Sequence, residues 1–484
     1  MFKLPAAHVF DLESFPNLFT FAAVDLYSDQ WFEFEISPWQ DDRAALLLYL
    51  NWLRSNAVYM VGFNSLHYDY PLLHFIMEDI HRATAENIYQ KSQHILHSGE
   101  RSEIWENKRF IPQIDLFKIH HFDNKNKTAS LKAIEVNMRA ENVLESEIPF
   151  GTVLTREQVP IIKHYNRVDT AETKRFTIIS MPMIEMRWGM RENMTGDVLN
   201  FNDTKLGVEY LTQKLGPELT YYRDANGKRQ PRQTYRHGIN LGECILPYVQ
   251  LHNPEFNRIH QWLKQQTIYQ TKGVFEDVVA NICDVEYKFG TGGLHGSVNN
   301  RVFVSNDEYV IIDDDVASLY PSVALVNQFY PEHLGMEFVK HYSSLKVERF
   351  KHAKGTPQNA ALKLALNGAY GNSNSEFSVF YDPKFTMSVT VNGQLILAMF
   401  IEWLLTVPTL QIIQANTDGI TYYVQRAQLP RVNEIRAAWQ KFTCLELEQA
   451  EYKRVWIRDV NNYVAEGDKI KAKGAYWTPD KHPD

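Results

Sequence analysis

Cysteine is scarce in this sequence, and common targeting signals are missing from it. The three cysteines lie far apart, at positions 244, 283 and 444, a spacing that fits neither a zinc site nor a disulfide framework. The segment before Asp11 is too short and too weakly apolar for a secretory signal. The longest apolar run, Leu395 to Val407, contains Glu402 and is too short to cross a bilayer, so it predicts a buried helix. We therefore expect a cytoplasmic protein that does not act at a membrane.

An excess of positive charge is also missing, since the net charge is -8 and the isoelectric point is near 6.1. This balance argues only weakly against binding to nucleic acids, because an acidic protein can still line one groove with lysine and arginine. Hydrophobic residues make up 44% of the chain and aromatic residues 13%, which excludes wholesale disorder. The 484 residues are enough for about two to four domains, each with its own core.

Three regions differ in how clearly they indicate secondary structure. Up to about residue 185, short apolar strands alternate with helical patterns, which predicts an α/β domain. Residues 186–300 carry few clear indications of secondary structure and are expected to connect the regions on either side. From residue 301 onward strands and helices are dense again, with two helices expected at about 335–371. The predicted fold class is therefore α/β and α+β, in several domains.

Carboxylates recur in the first region where strands or helices would present them. Asp11 and Glu13 are two residues apart at the end of a predicted strand, so both side chains face the same way. Asp69 follows the strand that ends near residue 63. Tyr165 and Asp169 are four residues apart, which is one turn of a helix. Taken singly, a solvated strand end, a helix N-cap and an ordinary surface helix would explain these residues.

In order along the chain, D-x-E, N-x-x-x-Y-D and Y-x-x-x-D resemble the three motifs of the DEDDy 3′–5′ exonucleases. The resemblance implies a ribonuclease H-like fold and a site where two ions of Mg²⁺ or Mn²⁺ assist phosphodiester hydrolysis. Tyr165 would orient the attacking water, and Asn64 would support the site or contact the single strand. Asp115 fits none of the motifs and is interpreted as structural. The implied metal ligands are Asp11, Glu13, Asp69 and Asp169.

Two further aspartates stand at places where a metal ion could bind. Asp315 follows the β-branched run Val310–Ile312 and opens the segment D-x-x-S-L-Y-P-S. Asp418 lies in the run N-T-D-G between two β-rich segments, at the tip of a predicted hairpin. Asp313 and Asp314 come just before the first of these motifs and are interpreted as local charge.

A helix with a polar face is predicted between these two aspartates. Lys363, Asn367 and Tyr370 fall on one side of it, and a face that carries lysine favours contact with a phosphate and a base. A basic segment precedes the helix, and two helices joined near Pro357 would form a short hairpin. A plain solvated helix is the other interpretation of that segment, whose basic residues are Lys346, Arg349, Lys351 and Lys354.

Stretches rich in glycine and in lysine flank these motifs. Gly292 and Gly293 would allow a ligand to approach the backbone closely, although a simple flexible turn explains them almost as well. Tyr463 precedes a segment in which lysines alternate along a predicted strand. Such a row suits a phosphate backbone, and its members are Lys469, Lys471 and Lys473.

Together these segments resemble the ordered motifs of family B DNA polymerases of the phage or viral type. The resemblance implies that Asp315 and Asp418 hold two ions of Mg²⁺ or Mn²⁺ and that the ring of Tyr320 excludes a ribose 2′-hydroxyl. The implied contacts with the dNTP come from Tyr320, Lys363, Asn367, Tyr370 and Arg349. The implied contacts with DNA come from Asn64, Gly292, Gly293, Tyr463, Lys471 and Lys473.

Several positions depart from the family pattern. Gly368 replaces a serine, Asn416 replaces the first aspartate of D-T-D-S, and Asn461 replaces the lysine of K-x-Y. Because the second aspartate is kept as Asp418, we still expect activity. Ten residues follow Gly474, so we expect a short or missing thumb and low processivity.

The sequence thus predicts an exonuclease domain over 1–185, a connecting region over 186–300 and a polymerase palm with fingers over 301–484. The predicted function is template-directed DNA synthesis with 3′–5′ proofreading, serving a viral or phage genome in the host cytoplasm. The expected partners of this monomer are primer–template DNA and dNTPs, with other replisome proteins as further candidates. Two alternatives stay open: a DNA-processing exonuclease whose polymerase half has decayed, and a non-catalytic nucleic-acid-binding protein.

Overall fold

The computed structural model describes residues 3–125, 127–141, 143–275 and 277–474. Within them the chain forms two compact units. The first runs to Leu206 and includes the segment His352–Ala361, and the second contains Gly207–Lys351 and continues from Leu362. The first boundary therefore falls later than residue 185, and the three-part division made from the sequence stays a prediction. The segment after Gly474, where the thumb was expected to be short or missing, lies outside the described residues.

A mixed sheet of five strands lies at the centre of the first unit. Its strands are β1 (Ala7–Phe15), β2 (Leu18–Asp25), β3 (Trp31–Ile36), β4 (Tyr59–Gly62) and β5 (Gln113–Asp115). They lie in the order β3-β2-β1-β4-β5, with β1 antiparallel to β2 and parallel to β4. The strand β1 continues to Phe15 before the chain turns. Asp11 and Glu13 therefore lie inside this strand, and the prediction that they lie at its end is wrong.

Helices pack against this sheet through apolar clusters, of which two are large. The first cluster joins the strands to α1 (Arg43–Ser55), α2 (Asp69–Glu78) and α3 (Ala85–His97). The second joins them to α4 (Leu116–Ile119), α5 (Leu131–Asn137) and α6 (Val159–Met190). Short 3-10 turns lie at Glu106–Lys108, Arg156–Gln158, Arg191–Asn193 and Val198–Asn200.

The second unit is built on a larger antiparallel sheet. From residue 203 onward the helices are α7 (Asp203–Leu215), α8 (Pro217–Thr220), α9 (Leu241–Cys244), α10 (Pro254–Lys264), α11 (Leu319–Val326), α12 (Gly335–Phe350), α13 (Pro357–Gly371), α14 (Pro383–Leu404) and α15 (Leu429–Thr443). The strands are β6 (Tyr221–Arg223), β7 (Arg229–Pro231), β8 (Ile239–Asn240), β9 (Thr267–Ile268), β10 (Val279–Ile282), β11 (Val285–Gly290), β12 (Gly293–Ser297), β13 (Arg301–Val304), β14 (Tyr309–Val316), β15 (Gln411–Thr417), β16 (Gly419–Gln425), β17 (Leu447–Tyr452), β18 (Arg454–Asp459), β19 (Asn462–Glu466) and β20 (Ile470–Lys473).

The order β10-β11-β12-β15-β16-β14-β17 places β14 and β16 side by side. A second sheet has the order β13-β18-β19-β20. The helix α14 packs against the large sheet in one apolar cluster, which confirms the buried helix predicted near Leu395. Among the described residues, α14 is also the one helix with the length and apolar composition of a membrane span, and nearly all of that stretch is buried in the fold.

The two helices expected at 335–371 are present as α12 and α13. The hydroxyl of Tyr342 on α12 donates a hydrogen bond of 2.5 Å to the carbonyl of Leu366 on α13, and both helices share an apolar cluster with α7. At this cluster, a Cβ on Gly368 would lie 3.3 Å from the backbone nitrogen of Val208. Close packing against α7 therefore accounts for the glycine that replaces the usual serine.

Candidate active sites

The first carboxylate centre lies on β1 and α6. Asp11, Glu13 and Asp169 each direct a carboxylate oxygen into a group whose atoms all lie within 4.8 Å of one another. Asp11 and Glu13 share one face of β1 because they are two residues apart, and α6 packs along this strand. Two motifs far apart in the sequence are thus brought together by the fold.

Burial and like charges raise the pKa values of this group. Burial first, and then the charge of Asp169, raise the pKa of Asp11 to about 8. Burial and neighbouring carboxylates raise the pKa values of Glu13 and Asp69 well above their usual range. Asp69, the first residue of α2, acts on Glu13 through its charge and so belongs to the same centre. Oxygen donors of this kind suit Mg²⁺ or Mn²⁺, and a bound cation would favour the ionised carboxylates.

Side chains of α6 act on two members of the centre. The side-chain amide of Asn166 donates to Asp11 Oδ2 at 2.8 Å. Tyr165 lies one helical turn from Asp169 and acts to lower the pKa of its carboxyl. The predicted one-turn spacing therefore places the two side chains close to each other.

Lys132, which sequence reasoning missed, supplies positive charge at this centre. From α5 its ammonium group donates to Asp169 and, at 3.0 Å, to Glu135. The same group lies 4.7 Å from the centre of the Tyr165 ring. The burial of Glu135 had no clear signal in the sequence, because α5 is short and no motif covers it.

Asp115 is buried and holds the turn that precedes α2. Its carboxylate accepts hydrogen bonds from the backbone N–H groups of Asn64 at 2.9 Å and Leu66 at 3.0 Å. A third bond, of 3.0 Å, comes from the N–H group of Phe117 at the start of α4. These contacts agree with the structural interpretation of Asp115. Asn64 has a φ of 56°, and its contact with a single strand stays a prediction.

The second carboxylate centre lies on adjacent strands of the large sheet. Asp315 on β14 lies opposite Gly419 on β16, and Asp418 forms the turn between β15 and β16. The backbone N–H of Val316 donates to the carbonyl of Asp418 at 2.8 Å, so strand pairing fixes the two aspartates side by side. The predicted hairpin with Asp418 at its tip is confirmed.

Neighbouring charges also raise the pKa values here. Burial first, and then the charges of Asp313 and Asp418, raise the pKa of Asp315 to about 7, against the influence of Lys471. Desolvation by the surrounding protein raises the pKa of Asp418, while the charge of Lys363 on α13 acts to lower it. Lys363 therefore lies close enough for its charge to reach the hairpin tip.

Asp313 and Asp314, which the sequence led us to interpret as local charge, are buried and anchored. The guanidinium of Arg436 on α15 donates to both oxygens of Asp314, at 2.9 and 3.0 Å. The hydroxyls of Thr421 and Tyr452 donate to Asp313 at 2.6 and 2.7 Å. A buried carboxylate needs such partners, and these contacts fix the strand that carries Asp315.

Two lysines of β20 reach this centre. The ammonium of Lys471 lies 3.3 Å from Asp313 Oδ2 and 3.9 Å from Asp315 Oδ2. The ammonium of Lys473 donates to the side-chain carbonyl of Asn416 at 3.1 Å. Lys469 precedes β20 and does not continue the row along the strand. The predicted contacts of the two strand lysines with DNA stay predictions.

The face of α13 meets the start of α11 beside this centre. The ring of Tyr320 stacks on that of Tyr370 with 4.3 Å between their centres, while Lys363 and Asn367 are exposed. From α12, Arg349 donates to the hydroxyl of Ser318 at 2.7 Å, and Lys346 likewise binds Ser322 at 3.0 Å. Arg349 thus lies at the loop that follows Asp315, and Lys346 lies at the first turn of α11.

The remaining candidates for DNA contact are placed differently. The carbonyl of Gly292 accepts a hydrogen bond of 3.0 Å from the Tyr320 hydroxyl, and Gly293 has a φ of 125°. A Cβ on Gly293 would lie 2.9 Å from the same hydroxyl, which explains why glycine is needed there. The ring of Tyr463 is buried and offers little surface to a DNA strand. Its contact with DNA, like those of the glycines, stays a prediction.

No protein-family model and no curated protein matches this sequence. In structure, the chain is similar to the family B DNA polymerase from the hyperthermophilic archaeon Pyrobaculum calidifontis, with a TM-score of 0.51 and 14% identity. The match covers 99% of this chain and 61% of that polymerase. At this identity the likeness concerns the fold alone, and it does not address a phage or viral type. The chain therefore has, at least in part, the fold of a family B DNA polymerase.

Proposed function

We propose that this chain is a DNA polymerase that extends a primer on a template from dNTPs and removes 3′ ends with its own exonuclease. The observation that carries this proposal is the pair of carboxylate centres, one in each unit, on a fold similar to that of a family B DNA polymerase. A non-catalytic binding protein would have no use for two groups of carboxylates whose mutual repulsion raises their pKa values.

In the exonuclease reaction, four carboxylates would hold two divalent ions, which stabilise the attacking and leaving oxygens of an in-line displacement. Asn166 holds Asp11 in place through its 2.8 Å hydrogen bond. Tyr165, which lies one helical turn from Asp169 and acts on its pKa, would orient the attacking water. Lys132 offsets the negative charge that collects around Asp169. The ligands would be Asp11, Glu13, Asp69 and Asp169.

In the polymerase reaction, Asp315 and Asp418 would hold the ions that stabilise the charge developing on the transferred phosphate. Lys363, whose charge already acts on Asp418, would neutralise the triphosphate of the dNTP, with Asn367 beside it. Arg349 would assist from α12. The stacked rings of Tyr320 and Tyr370 would bound the base pair and the sugar, so that a ribose 2′-hydroxyl meets Tyr320.

The setting of this activity is proposed from the sequence. We place the protein in the cytoplasm, as a monomer that binds primer–template DNA and dNTPs and serves a viral or phage genome. Other replisome proteins are candidate partners.

A gel assay with a 5′-labelled primer on a longer template and Mg²⁺ tests both activities at once. Extension with the four dNTPs and shortening without them are the expected results. Asp315→Ala should abolish extension alone and Asp11→Ala shortening alone. Matched controls are Asp284→Ala and Asp29→Ala, which remove exposed carboxylates outside the two centres and should change neither activity.

Asn416 gives one alternative a specific basis, since it removes a carboxylate from the polymerase motif. Shortening with and without dNTPs, with no extension by any variant, would favour an exonuclease whose polymerase half has decayed. Asn416→Asp distinguishes a weak polymerase from a decayed one, because restoring the carboxylate should rescue extension only if the rest of the centre works.

A further inference from the structure

A cavity of about 680 Å³ lies at the end of α13. Its walls come from β8, from β9 with the loop after it, and from the loop that joins α13 to α14. This volume is within the range of about 300–1,000 Å³ that is typical of small-molecule sites. None of the residues assigned above to catalysis or to dNTP contact lines it.

Exposed aromatic rings line this cavity. Phe377 is 93% exposed and Tyr269 is 80% exposed, which is unusual for side chains of this size. Tyr381 also lines the cavity, and its ring lies 5.4 Å from that of the exposed Tyr235. Clustered aromatic surface indicates a binding site. Flat exposed rings suit nucleobases, which stack on aromatic side chains regardless of base identity.

Polar contacts link the segments around the cavity, and positively charged side chains line it. The hydroxyl of Thr271 donates to the side-chain carbonyl of Asn374 at 2.5 Å, which links the loop after β9 to the loop after α13. Arg236 is fixed in the wall by ion pairs with Asp382 at 2.8 Å and Glu332 at 2.6 Å. The exposed Lys272 adds a positive charge that could meet a phosphate.

The direction of α13 indicates which strand would enter the cavity. Lys363, near the middle of the helix, acts through its charge on Asp418, beside the expected position of the triphosphate. Tyr370, about 10 Å further along the helix axis at 1.5 Å per residue, stacks on Tyr320 at the expected position of the base. Gly371 comes next, lines the cavity and faces open space. The cavity therefore lies past Tyr370 along α13, beyond the expected position of the base and on the side away from the triphosphate.

We propose that this cavity binds unpaired bases of the template strand just ahead of the base being copied, with Phe377 and Tyr269 as stacking platforms. The inference rests on the proposed polymerase function, because that function places single-stranded template beyond the nascent base pair. It adds a subsite that would position the template before each step of synthesis.

The test compares two primer–templates that differ only in the template overhang, one of a single nucleotide and one of about ten. Binding is measured by fluorescence anisotropy without dNTPs and in EDTA, so that the proposed exonuclease leaves both substrates intact. Removing both rings in the double variant Phe377→Ala/Tyr269→Ala should raise the Kd for the long overhang by on the order of tenfold or more, because each stacked base contributes measurably. The Kd for the short overhang should stay unchanged. Both side chains are exposed, so we expect the variant to fold.

Tyr222→Ala is the matched control, since this tyrosine is 46% exposed on β6 and lies outside the cavity. It should bind both substrates as the unaltered protein does. A 2-aminopurine at the first unpaired position ahead of the copied base gives a second readout. Its fluorescence should be quenched by the unaltered protein and not by the double variant.

Equal weakening on both substrates, or no weakening on either, would overturn the inference. Primer extension is measured in parallel with the same proteins. If the unaltered protein binds both substrates but extends neither, the proposed polymerase function fails while the overhang-dependent Kd still decides about the cavity. If it binds neither substrate, both proposals fail.

Discussion

A methyl group added at Gly419 would test the geometry of the polymerase centre. A Cβ at this position would lie 1.7 Å from Asp315 Oδ1 and 2.9 Å from its Cγ, whereas real contacts of this kind are essentially never shorter than 3.0 Å. The carboxylate of Asp315 must therefore move by more than about 1 Å in Gly419→Ala. A displacement of ~1 Å at reacting groups can lower a rate by about 100-fold, and we expect a loss of that size in primer extension.

The assay is single-turnover extension by one nucleotide, with shortening by the same protein as an internal control. Shortening should be unchanged, because the exonuclease centre lies in the other unit. The free energy of unfolding should fall by only about 1 kcal/mol, since a terminal carboxylate can rotate at roughly that cost. Gly290→Ala serves as the matched control on the same sheet, because the nearest atom to its new Cβ is 3.8 Å away.

Gly419→Ser separates this structural argument from one based on the family pattern. The pattern D-T-D-S predicts that serine at this position is harmless or helpful, whereas the contact with Asp315 predicts a loss at least as large as with alanine. Extension by Gly419→Ala or Gly419→Ser at the unaltered rate would refute the reasoning. It would mean that Asp315 does not lie against Gly419 during synthesis.

Three further predictions concern the exonuclease centre and the fold around the polymerase centre. Asn166→Ala removes the hydrogen bond to Asp11 and should slow shortening of a mismatched primer by about 10–100-fold, with extension unchanged; equal slowing of both would contradict it. Arg436→Ala leaves the buried Asp314 without its ion pair and should lower the free energy of unfolding in urea by about 3–5 kcal/mol. The control Arg431→Ala breaks an exposed ion pair and should lower it by less than about 1 kcal/mol. The pKa of Asp11 is raised to about 8 in the fold. The stability that Asp11 contributes is therefore present below its unfolded pKa and is lost as pH rises through about 8. In EDTA, Tm should fall between pH 6 and 8, and Mg²⁺ should restore Tm most at the higher pH. A Tm in EDTA that rises over this range would contradict that assignment.

Local spacing predicted those parts of the two centres that lie within one element. Asp11 and Glu13 meet because they are two residues apart on a strand, and Tyr165 acts on the pKa of Asp169 because they are one helical turn apart. Asp418 lies at a hairpin tip because two β-rich runs flank it closely. In the first two cases the geometry follows from strand or helix periodicity, and in the third from the short turn between two strands.

Contacts between distant elements could not be predicted in this way. Lys132 reaches Asp169 from a separate short helix, and Arg436 reaches Asp314 from α15. Neither pair belongs to a motif, and neither helix has a periodicity that indicates its partner. The requirement for glycine at position 419 has the same origin, because it depends on the register between β14 and β16.

Charge distinguishes the two centres. In the first, the one ammonium group that acts on the carboxylates among the described residues is that of Lys132, which acts on Asp11, Glu13 and Asp169.

In the second, the cations are more numerous around Asp315 and Asp418. Lys471 approaches Asp313 and Asp315, Lys363 acts on Asp418, and Lys473 binds the amide that replaces a carboxylate. Since Asn416 is neutral, Lys473 forms no ion pair there and keeps its charge available to a phosphate. A centre that must bind a triphosphate and a primer end needs such cations, whereas one that only cleaves a strand needs mainly its metal ligands. Under the proposed function, the departure from D-T-D-S would shift the second centre from metal binding toward phosphate binding, which is compatible with synthesis and does not by itself indicate decay.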